Sequence, residues 1–72
     1  MISPSQCRAA RGLLAWSQAD LARHSRVNPS TIQLFEAEKH TPKEATVLLL
    51  KLCLEAQGIR FIGLTGVDRP VF

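Results

Sequence analysis

The sequence has few of the features that mark enzymes or metal proteins. Its 72 residues include two cysteines, Cys7 and Cys53, and two histidines, His24 and His40. Neither cysteine belongs to a CxxC pair, and no cysteine and histidine stand at a spacing typical of zinc ligands. The chain also lacks a glycine-rich phosphate loop and a nucleophile motif. We therefore expect no metal, no cofactor and no enzymatic activity.

Long hydrophobic runs are also missing. The longest runs, such as residues 47–50, cover about one helical turn, whereas a membrane span needs about 18 apolar residues. The N-terminal MISPSQC lacks the basic segment and the apolar segment of a signal peptide. These absences predict a cytoplasmic protein with no membrane partner. Its cysteines are expected to be reduced, and a disulfide in a secreted protein is the alternative.

Size and charge allow one small domain. A chain of 72 residues buries a modest core, so it can depend on a partner subunit for stability. Hydrophobic residues make up 46%, which argues against disorder. Nine Lys and Arg face six Asp and Glu, a net charge of +3. This mild basic bias is compatible with nucleic acid, but many soluble domains share it.

Capping signals divide most of the chain into four helices. Ser3 with Gln6, and Ser17 with Asp20, have the spacing of capping boxes. Thr41 with Glu44 has the same spacing, and Gly58 follows as a stop signal. The four predicted helices run from about Pro4 to Leu14, from Ser17 to Ser25, from Asn28 to Glu36 and from Thr41 to Gln57.

Residues 17–36 are predicted to form two short helices joined by a tight turn, and the other predicted elements support this pair. Asn28 is a strong N-cap residue, and Pro29 suits the first helical position. Val27 and Ile32 have the spacing of a hydrophobic staple. The inward stripe of the second helix is Ile32 and Phe35, and the residues predicted to point outward are Ser30, Gln33 and Leu34.

The fourth helix is apolar on two faces, and the tail after it favours β-structure. One face carries Ala45, Leu48, Leu49, Leu52 and Ala56, and the other carries Val47, Leu50 and Leu54. Such a helix needs two packing partners. Residues 59–64 and 67–72 are predicted strands with a turn at Thr65-Gly66. A lone hairpin is marginal in water, so the tail is expected to pack on the fourth helix or on another chain.

The segment WSQADLARHSRVNPSTIQLFEAEKHTP resembles the helix-turn-helix of the Cro/C1-type repressors, the xenobiotic-response-element class. The resemblance covers residues 8–56 and is carried mainly by Ser17-Gln18, Asp20-Leu21-Ala22, Val27-Asn28, Ser30-Thr31-Ile32 and Phe35-Glu36. It implies an all-α, four-helix DNA-binding domain over residues 1–58, and the pattern of the tail adds a short β-extension, expected to dimerise, over residues 59–72. It also implies a bacterial or phage regulator whose third helix enters the major groove of double-stranded DNA.

Several residues have expected roles in that setting. Gln33 and Ser30 are predicted to contact bases, and Leu34 a thymine methyl group. The predicted phosphate contacts are Gln18, Asn28, Lys39 and Lys43. Thr31 is expected to contact a phosphate or a thymine methyl group, or to support the start of the helix. The third helix departs from the family pattern because it contains no Lys or Arg. Phosphate neutralisation must therefore come from outside it.

The resemblance also implies a structural pair and a subunit contact. Arg11 on the first helix is expected to meet Glu36 at the end of the third. Family members usually bind palindromic sites as dimers, and the residues predicted to form the dimer interface are Leu50, Leu54, Ile59, Phe61 and Ile62. The expected function is a repressor that acts by steric occlusion. The alternative is a helix-turn-helix module that binds another regulatory protein, as an antiactivator or antitoxin does.

Overall fold

The computed structural model describes residues 1–70, which form four helices followed by a β-hairpin. The helices and strands are α1 (Pro4–Leu14), α2 (Gln18–Ser25), α3 (Pro29–Glu36), α4 (Glu44–Ala56), β1 (Arg60–Ile62) and β2 (Gly66–Asp68). The protein is therefore a mainly α-helical domain with a short β-extension, as expected. Among the described residues, no helix is both long and apolar enough to cross a membrane.

Side-chain caps fix the starts of the first three helices. Ser3 and Ser17 each accept a hydrogen bond from the backbone N–H three residues later, and Gln6 and Asp20 complete the two capping boxes. The Asn28 side chain accepts from the backbone N–H of Ser30 at 2.8 Å. These caps confirm the predicted starts to within one residue. They explain why three short helices have defined boundaries.

The capping box predicted for α4 is wrong. The helix begins at Glu44, and its N-cap residue is Lys43, whose side chain makes no capping hydrogen bond. Pro42 is buried in the segment before the helix, and Lys43 has an extended backbone conformation. Thr41 is therefore too far from the first turn to cap it.

Three residues other than glycine end the first three helices in a left-handed conformation. They are Ala15 with φ 55°, Arg26 with φ 63° and Glu38 with φ 59°. After α3, the N–H of Lys39 donates to the carbonyl of Leu34 at 2.9 Å, and the N–H of Glu38 to that of Phe35 at 3.0 Å. This is a Schellman motif, in which glycine is the usual left-handed residue.

Replacing Glu38 with glycine is expected to stabilise the fold by about 0.5–1 kcal/mol. The left-handed conformation costs a side-chain-bearing residue about 1 kcal/mol, and the greater freedom of glycine in the unfolded chain offsets part of the gain. Urea denaturation measures the change. Ala9→Gly, at an exposed site inside α1, is the control and should destabilise by about 1 kcal/mol. A lower stability for Glu38→Gly would contradict the strain at this turn.

The core lies between the four helices and the base of the hairpin. Its buried apolar residues are Ile2, Cys7, Ala10, Leu21, Ala22, Val27, Ile32, Phe35, Val47, Leu50, Leu54 and Ile59. Every helix therefore contributes to one cluster. Val27 and Ile32 are both buried in it, as a hydrophobic staple requires.

The predicted dimer interface is wrong for most of its residues, because they are buried in the core of a single molecule. Leu50 and Leu54 are fully buried, and Ile59 is 3% exposed. Phe61 is half-buried against the same core, and only Ile62 is largely exposed. The four helices enclose Leu50 and Leu54 because the Val47–Leu50–Leu54 face of α4 is the one that meets α1 and α2.

The hairpin is shorter than predicted, and its turn includes Thr65, as predicted, but not Gly66. β1 and β2 are antiparallel, with Ile62 opposite Gly66, and residues 63–65 connect them. Gly66 is the first residue of β2, and a Cβ atom there would lie 2.7 Å from the backbone oxygen of Ile62. This glycine permits a close approach of two strands, not a turn. The rest of the predicted second strand includes Val71 and Phe72, which lie outside the described residues.

The hairpin packs on α1, not on the outer face of α4. The Gln6 amide Nε2 donates to the carbonyls of Gly63 and Gly66, both at 3.0 Å. The Ser3 hydroxyl donates to the carbonyl of Leu64, also at 3.0 Å. Two polar residues at the start of α1 thus hold the hairpin loop within the same chain.

Candidate nucleic-acid interface

The α3 helix has one buried face and one exposed face. Ile32, Phe35 and Glu36 are buried. Ser30, Gln33 and Leu34 are exposed, and Leu34 keeps 41% of its surface accessible. Because residues at i, i+3 and i+4 share a helix face, these three side chains form one outward surface. The structure thus places the three predicted base-contacting residues together.

A buried carboxylate joins α3 to the two helices before it. Glu36 is only 3% exposed. Its Oε2 accepts from Arg11 Nε at 2.8 Å, and its Oε1 accepts from Arg11 Nη2 at 2.6 Å. The predicted Arg11–Glu36 pair is therefore present and bidentate, the strongest arrangement for these two groups.

Two further donors complete this carboxylate cluster. Gln18 Nε2 donates to Glu36 Oε1 at 3.0 Å, and the Cys7 thiol donates to Oε2 at 3.1 Å. Each carboxylate oxygen therefore accepts two hydrogen bonds. The cluster contains side chains from α1, α2 and α3, so it fixes the orientation of α3 relative to both helices.

Arginines on α1 also bind backbone carbonyls around the same point. Arg8 Nη1 donates to the backbone carbonyl of Glu36, at the C-terminal end of α3. Arg11 Nη1 donates to the carbonyl of Trp16 at 3.0 Å, in the connection between α1 and α2. A cation at a helix C-terminus is favourable for the helix dipole. The sequence did not indicate this contact between Arg8 and the end of α3.

The cluster keeps Glu36 ionised. Burial by itself would raise the pKa of Glu36, but hydrogen bonds from Arg11, Gln18 and Cys7 and the charge of Arg11 lower it below its ordinary value of 4.5. Burial, followed by the adjacent Glu36 carboxylate, raises the pKa of the Cys7 thiol. Cys7 is therefore a protonated donor at neutral pH and is not a reactive thiolate.

Gln18 has a structural contact that was not predicted. Sequence reasoning assigned its amide to a phosphate, and the structure directs one amide N–H to Glu36. The side chain is half-buried at the first position of α2. The second amide N–H of Gln18 remains a donor for the predicted phosphate contact.

Basic side chains lie on both sides of α3 in the sequence. Arg26 is exposed in the turn before it, and Lys39 and Lys43 are exposed in the segment after it. Arg23 is exposed as well, but it pairs with Asp20 at 2.8 Å. Glu38 adds one exposed acid. Because α3 itself contains no Lys or Arg, the positive charge next to it in the sequence comes from Arg26, Lys39 and Lys43.

An aromatic stack beside the helix pair was also not predicted. Trp16 and His24 have ring centroids 4.3 Å apart and planes at 9°. Trp16 is partly buried and packs on the core. His24 covers the ring and lies in the last turn of α2. The two residues are eight positions apart and not on one helix, so no local pattern could indicate the stack.

Comparison with models of known protein families found no match, and a search of curated proteins found no significantly similar sequence. The function of the chain is therefore inferred from α3 and its surroundings.

Proposed function

We propose that the protein is a sequence-specific DNA-binding regulator of the Cro/C1 type, in which α3 enters the major groove. One observation carries this proposal. The buried Glu36 carboxylate fixes α3 to α1 and α2, while Ser30, Gln33 and Leu34 stay exposed on its other face. A helix held rigidly on one side and free on the other is what groove recognition requires.

The dimensions and side chains of α3 suit this role. The major groove is about 12 Å wide, and an α-helix with side chains is about 10–12 Å across. Gln33 can bind N6 and N7 of adenine with its two amide atoms. Ser30 is a less selective partner, and Leu34 suits the methyl group of thymine. Thr31 contacts either the methyl group of a thymine or a phosphate of the DNA backbone.

Residues outside α3 supply the phosphate contacts in this proposal. Lys39, Lys43 and Arg26 are exposed cations on its flanks. Asn28 already caps α3 through its side-chain oxygen, which leaves its amide N–H groups for a phosphate. Gln18 contributes from the first turn of α2, which lies across the DNA backbone. These contacts provide affinity and register, whereas α3 provides specificity.

The biological role that follows is steric repression by a cytoplasmic protein. Two copies bind a palindromic site, because the symmetry of a dimer is matched by the symmetry of its operator. Occupation of a promoter by this pair blocks access of other proteins to the DNA. The chemistry of the α3 face does not require a ligand or a cofactor.

Two substitutions separate base reading from phosphate binding. Gln33→Ala is expected to weaken binding to the preferred duplex by about 1–3 kcal/mol and to relax specificity at one base pair. Lys43→Ala is expected to weaken binding to all sequences alike and to lower the salt slope by about 1. Fluorescence anisotropy titrations at several salt concentrations measure both effects. Gln57→Ala, at the end of α4, is a matched control and should change neither.

The outcome of this comparison decides the role of α3. If Gln33→Ala weakens all sequences equally, the glutamine does not read a base. If neither substitution changes binding, the flanking lysine and the outer face of α3 do not meet DNA.

The second candidate is a module that binds another regulatory protein. It is favoured by the 41% exposure of Leu34 and by the absence of Lys and Arg from α3. In this case the wild-type chain would retain a regulator in the absence of DNA, and Leu34→Asp would release it. Ser5→Asp, at an exposed site on α1, is the control. Specific DNA binding that survives Leu34→Asp would exclude an essential role of Leu34 in reading DNA.

A further inference from the structure

A cavity of about 710 Å³ lies where the N-terminal segment meets the end of α3 and the start of α4, and we call it the Phe35 cavity. Its apolar walls include Ile2, Phe35, Pro42 and Val47, and all four residues are buried. The packing of the core therefore holds these walls in place. Sites for small molecules in proteins measure about 300–1,000 Å³ and have mainly apolar walls. The size and the walls of the cavity thus suit a small organic ligand.

The open side of the Phe35 cavity is acidic. Glu38 and Glu44 both line it, and both are exposed. Neither carboxylate forms an ion pair within residues 1–70. Lys39 follows Glu38 and Lys43 precedes Glu44 in the chain, but neither lysine belongs to the lining. The two carboxylates are therefore available to a charged group from outside the protein.

The remaining ionisable groups of the lining do not reverse this charge. They are the neutral imidazole of His40 and the amino group of Met1. Within the described chain, neither group forms an ion pair with a carboxylate. Two negative charges thus face one positive charge, and the field in the cavity favours a cation over an anion.

The walls also favour a small molecule over a protein partner. A standard protein contact buries about 800 Å² on each side, whereas the walls of this cavity are largely core side chains with little accessible surface. Apolar walls bind an apolar body, and a few polar groups at one side orient it. The fitting ligand is therefore an amine or guanidine that carries an aromatic or branched aliphatic group.

The Phe35 cavity adjoins the part of the chain that carries the flanking cations of α3. Phe35 lies in the last turn of α3, and Glu38 is the left-handed residue of the turn that follows. Lys39 and Lys43, the proposed phosphate contacts, each stand next to one of the two carboxylates. Those carboxylates repel DNA phosphates, so a cation bound between them reduces the repulsion.

We propose that the Phe35 cavity binds a small amphipathic organic cation, and that the bound cation strengthens binding of the protein to DNA. The site itself does not depend on the proposed function, whereas its effect on DNA rests on that function. Coupling between two binding sites is reciprocal, so DNA strengthens binding of the cation by the same factor.

A titration of the ¹⁵N-labelled protein with 4-phenylbutylamine, followed by nuclear magnetic resonance without DNA, tests the site. The amide signals of Ile2, Glu38 and Val47 should shift, with half-saturation at about 1 mM for so small a ligand. The signals of Ala19 and Arg23 on α2, outside the cavity, should not shift. The absence of shifts at the cavity would overturn the proposal.

Two matched compounds separate the charge of the ligand from its apolar body. 4-Phenylbutyrate has the same body and the opposite charge, and butylamine has the same charge without the ring. Each should bind at least about fivefold more weakly than 4-phenylbutylamine. Equal binding of the amine and the acid would overturn the selection of a cation, and equal binding of butylamine would overturn the role of the apolar walls.

A double substitution tests the two carboxylates. Glu38→Gln/Glu44→Gln should weaken binding of 4-phenylbutylamine by about fivefold, with an unchanged circular dichroism spectrum. Glu55→Gln, at an exposed site near the other end of α4, is the control and should bind the amine as wild type does. Unchanged affinity of the double variant would overturn the assignment of these carboxylates to the site.

Fluorescence anisotropy with a bound duplex tests the effect on DNA. Saturating 4-phenylbutylamine should tighten DNA binding by about threefold, measured against butylamine at the same concentration as the ionic-strength control. Glu38→Gln/Glu44→Gln should bind DNA more tightly than wild type and should not respond to the amine. No response of wild type would overturn the coupling. Failure of wild type to bind any duplex would overturn the proposed function, and the titration without DNA would still decide whether the site exists.

Discussion

Replacement of Glu36 by alanine is expected to lower the free energy of unfolding by about 3–5 kcal/mol. The variant leaves the Arg11 guanidinium, whose side chain is 18% exposed, without its partner. It also leaves Gln18 and the Cys7 thiol without the acceptor they share. The stability of a small domain is about 5–15 kcal/mol, so the loss is a large part of the total. Urea denaturation followed by circular dichroism measures it.

An exposed ion pair provides the matched control. Glu55 lies 4.0 Å from Lys51 on α4, and both side chains are more than one-third accessible to solvent. Glu55→Ala should therefore change stability by no more than about 0.5 kcal/mol. Similar small effects for both variants would show that the Glu36 cluster does not hold the three helices together.

The same cluster predicts how stability depends on pH. The pKa of Glu36 is lowered by folding, so its contribution is present above its ordinary pKa of 4.5 and is lost as pH falls through the folded value. Wild-type stability should therefore decrease below about pH 4.5. Glu36→Gln should be less stable at pH 7 and should show a flatter decrease in acid. A parallel decrease in both proteins would contradict this role.

Leu50→Ala is expected to lower the free energy of unfolding by about 2–5 kcal/mol. Leu50 is fully buried between α4 and the other helices, so the truncation leaves a cavity that surrounding atoms fill only partly. Loss of transfer free energy and loss of packing contacts both contribute. Thermal or urea denaturation of the monomeric protein at low concentration measures the change.

Leu49→Ala on the same helix is the control. Leu49 is the neighbouring residue and is 51% exposed, on the outward face of α4. Its truncation should change the stability of the monomer by no more than about 0.5 kcal/mol. Equal effects at both positions would contradict the orientation of α4 in the fold.

Local chemistry made the first three helices predictable. Ser3, Ser17 and Asn28 specify helix starts through hydrogen bonds to residues two or three positions later. Such signals lie within one turn of the chain, so the sequence alone contains them. The exposed face of α3 was predictable for the same reason, because Ile32 and Phe35 fix its inward side.

Features that depend on distant residues could not be predicted in the same way. Both faces of α4 are apolar, so periodicity could not decide whether Leu50 or Leu49 meets the core. The sequence predicted Gly66 as a turn residue. Its close approach to Ile62, which requires glycine in the strand, is visible only in the folded hairpin. The resemblance supplied the Arg11–Glu36 pair. The contributions of Cys7 and Gln18 depend on side chains 29 and 18 residues away.

Selection from a randomised duplex library, followed by a mobility-shift titration of the selected sequence, tests DNA recognition by α3 most directly. The expected result is enrichment of an inverted repeat. Binding to it should weaken as salt increases and should be tighter than binding to a scrambled duplex at every salt concentration. The absence of an enriched sequence, or equal affinity for the selected and scrambled duplexes, would contradict a sequence-specific regulator.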